Sequence, residues 1–325
     1  MSSDAPAGSG RLFQLGVLRF TGPDSLSFLQ GQVSNDTRRL AQGQSLLAAY
    51  SSPQGRVLAL LQLLPHSSGV IAILPRELVP PTLEGLRKFV LRAKVKIEDA
   101  SEVLGVAGSY GPRLLEAAGL GVPPSSAGYV ETGDIGVAAV NHDPGRYWVV
   151  GEAGRLAEHG LAGDLSEAPQ VEHDWRLADI RAGLPQIYLA TREAFVAQML
   201  NLDVLDGISF SKGCYTGQEI IARTQHLGRI KRRLYRLQLP EGEWRVGAPL
   251  RTTRGRAGRL TEVIRSNGGF EALAVLSVEA GAPPSAADSP NAAGPPSAAA
   301  AHAADGDSAD DAAVAAVELP LPYQI

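Results

Sequence analysis

The sequence predicts an α+β protein in which two similar mixed units precede a unit made of strands. Residues 15–33 and 103–118 begin with the same order of a short apolar strand, a Gly-Pro turn and a helix. From Leu234 the pattern changes to short apolar segments separated by turns, which is typical of a small barrel or sandwich. With 44% hydrophobic and 20% charged residues among 325, the chain can bury a substantial core.

The first unit is predicted to open with a strand at 15–20 and a helix at 25–33, in which Leu26, Leu29 and Val33 recur at helical spacing. Three apolar segments then alternate with turn residues and indicate antiparallel strands. A helix and a short strand complete the unit. These five elements are predicted at 46–50, 56–64, 69–74, 82–92 and 95–98.

The second unit is predicted to repeat that beginning, with a strand at 103–107 and a helix at 113–118. Strands within 129–140 and at 147–150, and a helix at 154–161, follow. The shared order favours two related halves, although Gly-Pro turns are common enough to produce it by chance.

A longer helix is predicted around Trp175, and Gly183 and Pro185 should end it. The strands of the last unit are predicted at 236–239, 257–264, 272–278 and 314–319.

Two segments lack the apolar residues that a core needs. We expect residues 1–10 to be a disordered terminus, and residues 281–311, rich in Ala, Pro, Ser and Gly, to be a disordered insertion before the final strand. The predicted division is therefore an α+β region at 11–233, with an internal boundary near 100, and a β region at 234–325.

Charge and cysteine content exclude several classes of protein. The net charge is −4, so any contact with nucleic acid must come from a local basic patch. A single cysteine cannot form an internal disulfide or, alone, a zinc or iron-sulfur site.

The N-terminus lacks the pattern of a signal peptide and the apolar runs are too short for a membrane helix, so we expect a cytosolic protein.

That single cysteine, Cys214, lies in a glycine-punctuated turn directly before a helical pattern at 218–227. Thr216 and Glu219 have the spacing of a capping box. A helix N-terminus after the sulfur and Lys212 two residues before it both favour the thiolate. Most lone cysteines are small buried apolar residues, but the polar neighbours here favour a functional site.

The segment around Cys214 resembles the motif of a known family. Residues 207–223, Gly-Ile-Ser-Phe-Ser-Lys-Gly-Cys-Tyr-Thr-Gly-Gln-Glu-Ile-Ile-Ala-Arg, are similar to those of the YgfZ family of folate-binding proteins, relatives of the glycine-cleavage aminomethyltransferase. Four more segments match in the family's order, namely 31–36, 46–50, 182–185 and 319–323. The resemblance covers nearly the whole chain apart from the first ten residues and the low-complexity insertion.

The resemblance implies a three-lobed fold, with two ferredoxin-like α+β lobes and a C-terminal β-barrel around an opening that binds tetrahydrofolate. It also implies an accessory role with iron-sulfur enzymes or assembly factors, including enzymes that thiolate tRNA. Cys214 would be the reactive thiolate and Lys212 would keep it ionised. The implied folate contacts are Trp175, Tyr215, Gln218, Glu219 and Arg223.

The chain departs from the related patterns at three places. Aminomethyltransferases have paired acids where this chain has Leu58 and Ala59, and neither side chain can exchange a proton, so aminomethyl transfer is disfavoured. Leu15 stands where the family has a second tryptophan. Arg181 replaces an acid that could accept hydrogen bonds from a pterin, so another acceptor is needed.

A basic run follows the motif, and three interpretations of it stay open. It could be an ordinary solvated surface, a site for the glutamate tail of a folate, or a weak contact for tRNA phosphates. Its members are Arg223, His226, Arg229, Lys231, Arg232, Arg233 and Arg236.

The leading hypothesis is a tetrahydrofolate-binding accessory protein that supports iron-sulfur cluster assembly or repair. The alternatives are a folate-dependent one-carbon transferase and a tRNA-binding module. The family leaves open whether the chain is an enzyme.

Overall fold

The computed structural model describes residues 10–140, 142–143, 145–161, 168–227, 230–278 and 313–325. Within them the chain forms three five-stranded antiparallel sheets and six α-helices, which confirms the predicted α+β class. The predicted insertion at 281–311 lies outside the described residues, as do residues 1–9 of the predicted disordered terminus. The predicted division into regions stays a prediction.

The first sheet comes from residues 15–99. It contains β2 (Leu15–Thr21), β3 (Leu46–Ser51), β4 (Val57–His66), β5 (Gly69–Pro75) and β6 (Lys96–Asp99) in the order β3-β4-β5-β2-β6. Helix α1 (Ser25–Gln30) follows β2 and helix α2 (Val79–Arg87) precedes β6. Helix α2 begins three residues before the predicted start, because prolines at 80 and 81 are tolerated in a first helical turn.

The second sheet repeats this order. It contains β1 (Gly10–Arg11), β7 (Leu104–Tyr110), β8 (Tyr129–Thr132), β9 (Ile135–Ala139) and β10 (Arg146–Glu152) in the order β1-β7-β10-β9-β8. Helix α3 (Pro112–Ala117) follows β7 and helix α4 (Ala153–Glu158) follows β10. The edge position that β6 fills in the first sheet belongs here to β1, so the start of the chain completes the second half.

Helices α5 (Ala168–Ala182) and α6 (Gln218–Leu227) lie between the second and third sheets along the chain. Helix α5 ends where predicted, at Gly183, whose φ of +68° favours glycine. The Tyr323 hydroxyl donates to the Gly183 carbonyl at 2.7 Å, so the C-terminal segment closes over the end of α5.

The third sheet contains β11 (Arg232–Leu239), β12 (Pro249–Arg251), β13 (Ala257–Ser266), β14 (Gly269–Ser277) and β15 (Val317–Leu319), in the order β12-β13-β14-β11-β15. The edge strands β12 and β15 are not paired by a ladder. One isolated bridge between Thr252 and Val314 joins the residues beside them. The C-terminal β-barrel is therefore not confirmed, because the described strands form an open sheet.

Helix α5 is tied to the third sheet by two carboxylates that are almost fully buried. Glu262 pairs with Arg176 of α5 and accepts the Tyr188 hydroxyl. Glu271 lies between Arg181 of α5, at 2.8 Å, and an arginine of β11. Burial of these carboxylates is tolerated because each has cationic partners. Arg181 therefore serves the contact between α5 and the third sheet.

None of the helices within the described ranges is long and apolar enough to cross a membrane.

Candidate functional site

The segment that contains Cys214 is docked onto residues 30–36, so two of the segments on which the resemblance depends bind each other. Ser34 Oγ donates to the Gly207 carbonyl at 2.6 Å, and Asn35 Nδ2 donates to the Asp206 carbonyl at 2.6 Å. The Thr216 N–H donates to the carbonyl oxygen of Gly31 at 3.3 Å. The loop before α6 is thus fixed by contacts with a distant part of the chain.

Lys212 is the centre of this attachment. Its side chain is buried, and Nζ donates to the carbonyl oxygens of Gln30, Val33 and Asn35 at 2.6, 2.6 and 2.9 Å. An ammonium group has three N–H donors, so none is left for the Cys214 sulfur. Burial lowers the pKa of Lys212 to about 8. Lys212 positions the loop, and the predicted pairing with the thiolate is not seen.

Cys214 itself is exposed on that loop. The predicted capping box is wrong, because α6 begins at Gln218 and the Thr216 N–H bonds to Gly31 instead of to Glu219. The residue before the helix is Gly217, with φ of +83°. A Cβ there would lie 2.7 Å from the Ser52 carbonyl oxygen, so glycine allows α6 to begin against the turn between β3 and β4.

The predicted folate contacts fall into two places. Near Cys214, Tyr215 is buried with its ring 4.7 Å from Lys212 Nζ, Gln218 is half-buried, and Glu219 and Arg223 are exposed on α6. Tyr215 packs in the core of the first sheet. Trp175 belongs to a different cluster, between the first and second sheets. The structure does not bring Trp175 together with the other four.

A narrow cavity lies between the faces of the first and second sheets, beside the end of α5. Most of its wall is apolar, and the polar side chains in it are Gln62, Asp179 and Gln186. The other lining residues are Leu15, Leu47, Leu60, Ile73, Val140, Trp148, Leu184 and Pro185. Cys214 and Trp175 are not in this wall. Its volume is about 50 Å³, well below the roughly 300–1,000 Å³ of pockets that enclose small molecules, so a ring could enter only if the two sheets moved apart.

Two buried polar atoms in the wall have no hydrogen-bond partner among the described residues. They are Gln62 Nε2, a donor, and Asp179 Oδ1, an acceptor. Asp179 Oδ1 forms an ion pair with Arg146 Nη2 at 2.8 Å. Burial raises the pKa of Asp179 to about 6, and Arg146 opposes that effect. Gln62 Nε2 is thus a buried donor that is costly unless a ligand or water binds it, whereas the charge of Asp179 is compensated by Arg146.

Trp175 supports this wall from behind. It is 1% exposed, its ring centroid lies 4.7 Å from that of Trp148, and the Arg146 guanidinium lies 4.5 Å from its ring. A Cβ on Gly108 would lie 2.3 Å from the Trp175 ring, so glycine permits this packing. The indole Nε1 has no partner in the described part of the chain.

Three residues of this wall, Gln62, Trp148 and Asp179, are not among those predicted from the sequence. A signal existed for two of them. Asp179 follows Trp175 by four positions, which places both on one face of a helix. Gln62 is the polar residue within the apolar run of β4. Trp148 offered no signal beyond its residue type.

Arg146, the ion-pair partner of Asp179, also lines a wider groove of about 1290 Å³. The groove lies between the second sheet, α5 and the turn from β13 to β14, and His173, Arg181 and Arg265 line it together with Arg146. Arg265 pairs with Glu241 at 3.0 Å and Arg181 with Glu271, so these two cations are already neutralised.

The basic run after the motif is partly neutralised as well. Arg233 binds Asp203 through two hydrogen bonds of 2.6 and 2.8 Å, and Arg236 binds Glu271. Arg223 and Lys231 are exposed. Arg229 lies outside the described residues, and so does the side chain of His226. The run is therefore not a continuous free basic surface in the described part.

The positions that carry acids in aminomethyltransferases are enclosed. Leu58 is 8% exposed and Ala59 is fully buried. Across the described ranges, no group of three His, Cys, Asp or Glu side chains could hold a metal ion.

The chain matches no family model. It is 31% identical over 223 residues to the tRNA-modifying protein YgfZ of Hamiltonella defensa subsp. Acyrthosiphon pisum, covering 68% of this chain and 66% of that protein, slightly under two thirds. It is 30% identical over 226 residues to the tRNA-modifying protein YgfZ of Colwellia psychrerythraea, covering 69% of each.

Among solved structures, the fold is similar to the glycine cleavage system aminomethyltransferase T from Bartonella henselae. The TM-score is 0.54 at 16% identity, over 83% of this chain and 78% of that one. At this identity the likeness shows a shared fold. Together with the sequence relatives, it agrees with the motif at 207–223, and the chain belongs to the YgfZ family.

Proposed function

We propose that this chain binds tetrahydrofolate in the cavity between the first and second sheets, and acts as an accessory protein for iron-sulfur cluster assembly or repair and thereby for tRNA modification. The observation that supports it best is a mostly apolar cavity whose few polar groups include the Gln62 donor, which has no partner, and the Asp179 carboxylate, which Arg146 holds at 2.8 Å. The two units with one strand order would be the two lobes that the resemblance implies.

The polar groups of this wall match a pterin, and the cavity of about 50 Å³ must widen by movement of the two sheets before the ring can enter. A pterin is flat and presents a ring N–H and an exocyclic amino group side by side, with a carbonyl oxygen next to them. An ionised Asp179 can accept from both donors, and Gln62 Nε2 can donate to the carbonyl. Asp179 thus supplies the acceptor that Arg181 cannot provide.

The aromatic contact would come from Trp148, which lines the cavity, with Trp175 packed behind it. A broad indole face suits a flat ring, and a second ring behind it keeps the first in place. Trp175 then contributes to folate binding by positioning Trp148. This replaces direct stacking on Trp175 as the proposed role.

When bound, tetrahydrofolate would supply a carrier for one-carbon units. The residues of this chain would bind and orient it and exclude water. Leu58 and Ala59 occupy the acid positions, and neither side chain can transfer a proton to or from a substrate amine. This favours an accessory role over aminomethyl transfer.

Cys214 would act separately, at the surface. It is exposed on a loop that Lys212 fixes, which suits a thiolate that must meet a partner. One thiolate supplies one ligand, so an iron-sulfur cluster at Cys214 would require ligands from a partner. Glu219 and Arg223 are exposed beside it and would contact that partner or the folate tail.

Calorimetric titration of the purified protein with tetrahydrofolate, under anaerobic conditions, tests the binding. Asp179→Asn and Gln62→Leu should each weaken binding about tenfold or more, since each leaves a ligand group unpaired. Glu172→Gln, on the same helix but outside this cavity, is the matched control and should bind normally. Equal affinity of all four proteins would remove the cavity as the site.

Cellular assays test the accessory role. In a strain lacking the protein, Cys214→Ala should fail to restore iron-sulfur enzyme activity and thiolated tRNA, while Asp179→Asn should restore them only partly. Full rescue by Cys214→Ala would exclude the thiolate, and turnover of methylene-tetrahydrofolate by the purified protein would establish the transferase instead.

A further inference from the structure

We propose that residues 87–96, here called the basic knob, are a docking surface for a protein partner that presents an apolar pocket with an acidic rim. The basic knob connects α2 to β6 at the edge of the first sheet. This surface is separate from the folate cavity and from the Cys214 loop, because it includes no residue of either.

The basic knob concentrates positive charge in an acidic chain. No Asp or Glu occurs from residue 85 to residue 97, whereas the whole chain has a net charge of −4. Its cations are all exposed, and they are Arg87, Lys88, Arg92, Lys94 and Lys96.

Two large apolar side chains stand among these cations. Phe89 is 44% exposed and Leu91 is 88% exposed. Among the exposed large hydrophobic residues in the described part of the chain, Leu91 has the largest exposed fraction. An apolar centre surrounded by charged residues is the arrangement of a protein interface, in which the centre provides affinity and the rim provides specificity.

The exposure does not come from a loosely held loop. Val90 and Ala93 pack against the core of the first sheet, and Val95 is buried in it. The carboxylate of Asp24 accepts the Lys94 N–H at 2.6 Å, and Arg87 Nη2 donates to the Ile97 carbonyl at 2.9 Å. Inward anchors therefore alternate with outward side chains, and Phe89 and Leu91 are presented in a fixed place.

Part of the charge is available to a partner. Lys88 pairs with Glu84 at 2.8 Å and Lys96 with Glu98 at 2.5 Å. Arg92 and Lys94 form no ion pair with a described residue. Arg92 and Lys94 follow Leu91 closely in the chain. If a partner protein covers Leu91, an acidic side chain of that partner would lie close to both cations.

Charge favours a protein over RNA or a lipid bilayer as the partner. RNA and anionic bilayers extend over a wide area, and a chain with net charge −4 repels both beyond the basic knob. Phosphate contacts also give no role to Leu91, and two apolar side chains anchor weakly to a bilayer. A protein with a local acidic rim needs only the basic knob itself.

Site-specific photocrosslinking in living cells tests this with the full chain. Leu91→p-benzoylphenylalanine is compared with Leu114→p-benzoylphenylalanine, a control on α3 where the natural leucine is 41% exposed. We expect ultraviolet-dependent protein adducts at position 91 that exceed those at 114 at least tenfold. The crosslinked peptide of the partner should contain apolar residues beside Asp or Glu.

Charge reversal decides whether the contact is specific. Arg92→Glu with Lys94→Glu should lower the adduct at position 91 about tenfold or more, while Arg113→Glu with Arg254→Glu, exposed elsewhere, should not. Changing the partner's acids to lysine should restore the adduct to the reversed variant. Equal adducts at 91 and 114, adducts to RNA or lipid, or no effect of charge reversal would overturn the proposal.

Discussion

The ammonium nitrogen of Lys212 lies 2.6 Å from the carbonyl oxygen of Val33, which is 179 positions earlier in the chain. This contact joins the loop that presents Cys214 to the segment after α1. It shows why lysine occurs there: three carbonyl oxygens converge on one point, and an ammonium group supplies three donors.

Lys212→Met should therefore destabilise the protein. Methionine keeps most of the apolar stem but leaves the three carbonyl oxygens without their donor, and we expect a loss of about 2 to 4 kcal/mol in the free energy of unfolding. Urea denaturation measures it. Lys231→Met, at an exposed position, should change the value by less than about 0.5 kcal/mol. Equal effects of the two substitutions would show that the three hydrogen bonds contribute little.

Local pattern predicted the elements well and their distant contacts poorly. The strands at 15–20, 46–50 and 69–74 and the helix at 218–227 are confirmed, because alternation, apolar spacing and turn residues act over a few neighbours. The repeated order of the first two sheets is also seen. Barrel closure depends on whether β12 meets β15, which no local pattern encodes.

The candidate site shows the same limit. Proximity in sequence suggested that Lys212 acts on Cys214, yet its partners lie on another segment. The sequence placed Trp175 on a helix, which is confirmed, but its burial behind Trp148 follows from the packing of two sheets and that helix. Asp179 is a candidate because it lies in the cavity wall, a position that depends on how α5 packs against two sheets.

Asp179 should make stability depend on pH. Its pKa is raised by burial to about 6 in the folded protein, against 3.8 as its ordinary value, so the folded state binds more protons between these two values. The protonated carboxyl of Asp179 therefore stabilises the folded state fully below about pH 4. This stabilisation is lost as pH rises through 6, and the free energy of unfolding falls by about 3 kcal/mol at most.

Asp179→Asn removes this contribution. Comparison of unfolding free energies from pH 4 to 7 should show a decline with rising pH in the natural protein that exceeds the decline in the variant. Parallel curves for the two proteins would mean that burial of Asp179 does not shift its titration.

Gly108→Ala should disturb the aromatic cluster behind the cavity. The new Cβ would lie 2.3 and 2.4 Å from two atoms of the Trp175 ring, so β7 and α5 must move apart. We expect a loss of about 1 to 3 kcal/mol and a change in tryptophan fluorescence.

Gly154→Ala is the matched control for this prediction. Gly154 lies in α4, with no atom within 4 Å of a Cβ and no positive φ, so alanine should stabilise the protein by about 0.5 to 1 kcal/mol. If Gly108→Ala is as stable as Gly154→Ala, Trp175 is free to move and cannot hold Trp148 in place.

Labelling of Cys214 separates positioning by Lys212 from activation. Cys214 is exposed, and the donors of Lys212 go to carbonyl oxygens, so the thiol should react with iodoacetamide in the folded protein at a rate that Lys212→Met changes less than about threefold. Cys214→Ala should leave the unfolding free energy within about 0.5 kcal/mol, because an exposed side chain buries little apolar surface. A tenfold slower reaction in Lys212→Met, under conditions where it is fully folded, would instead mean that the charge of Lys212 activates the thiol across the loop.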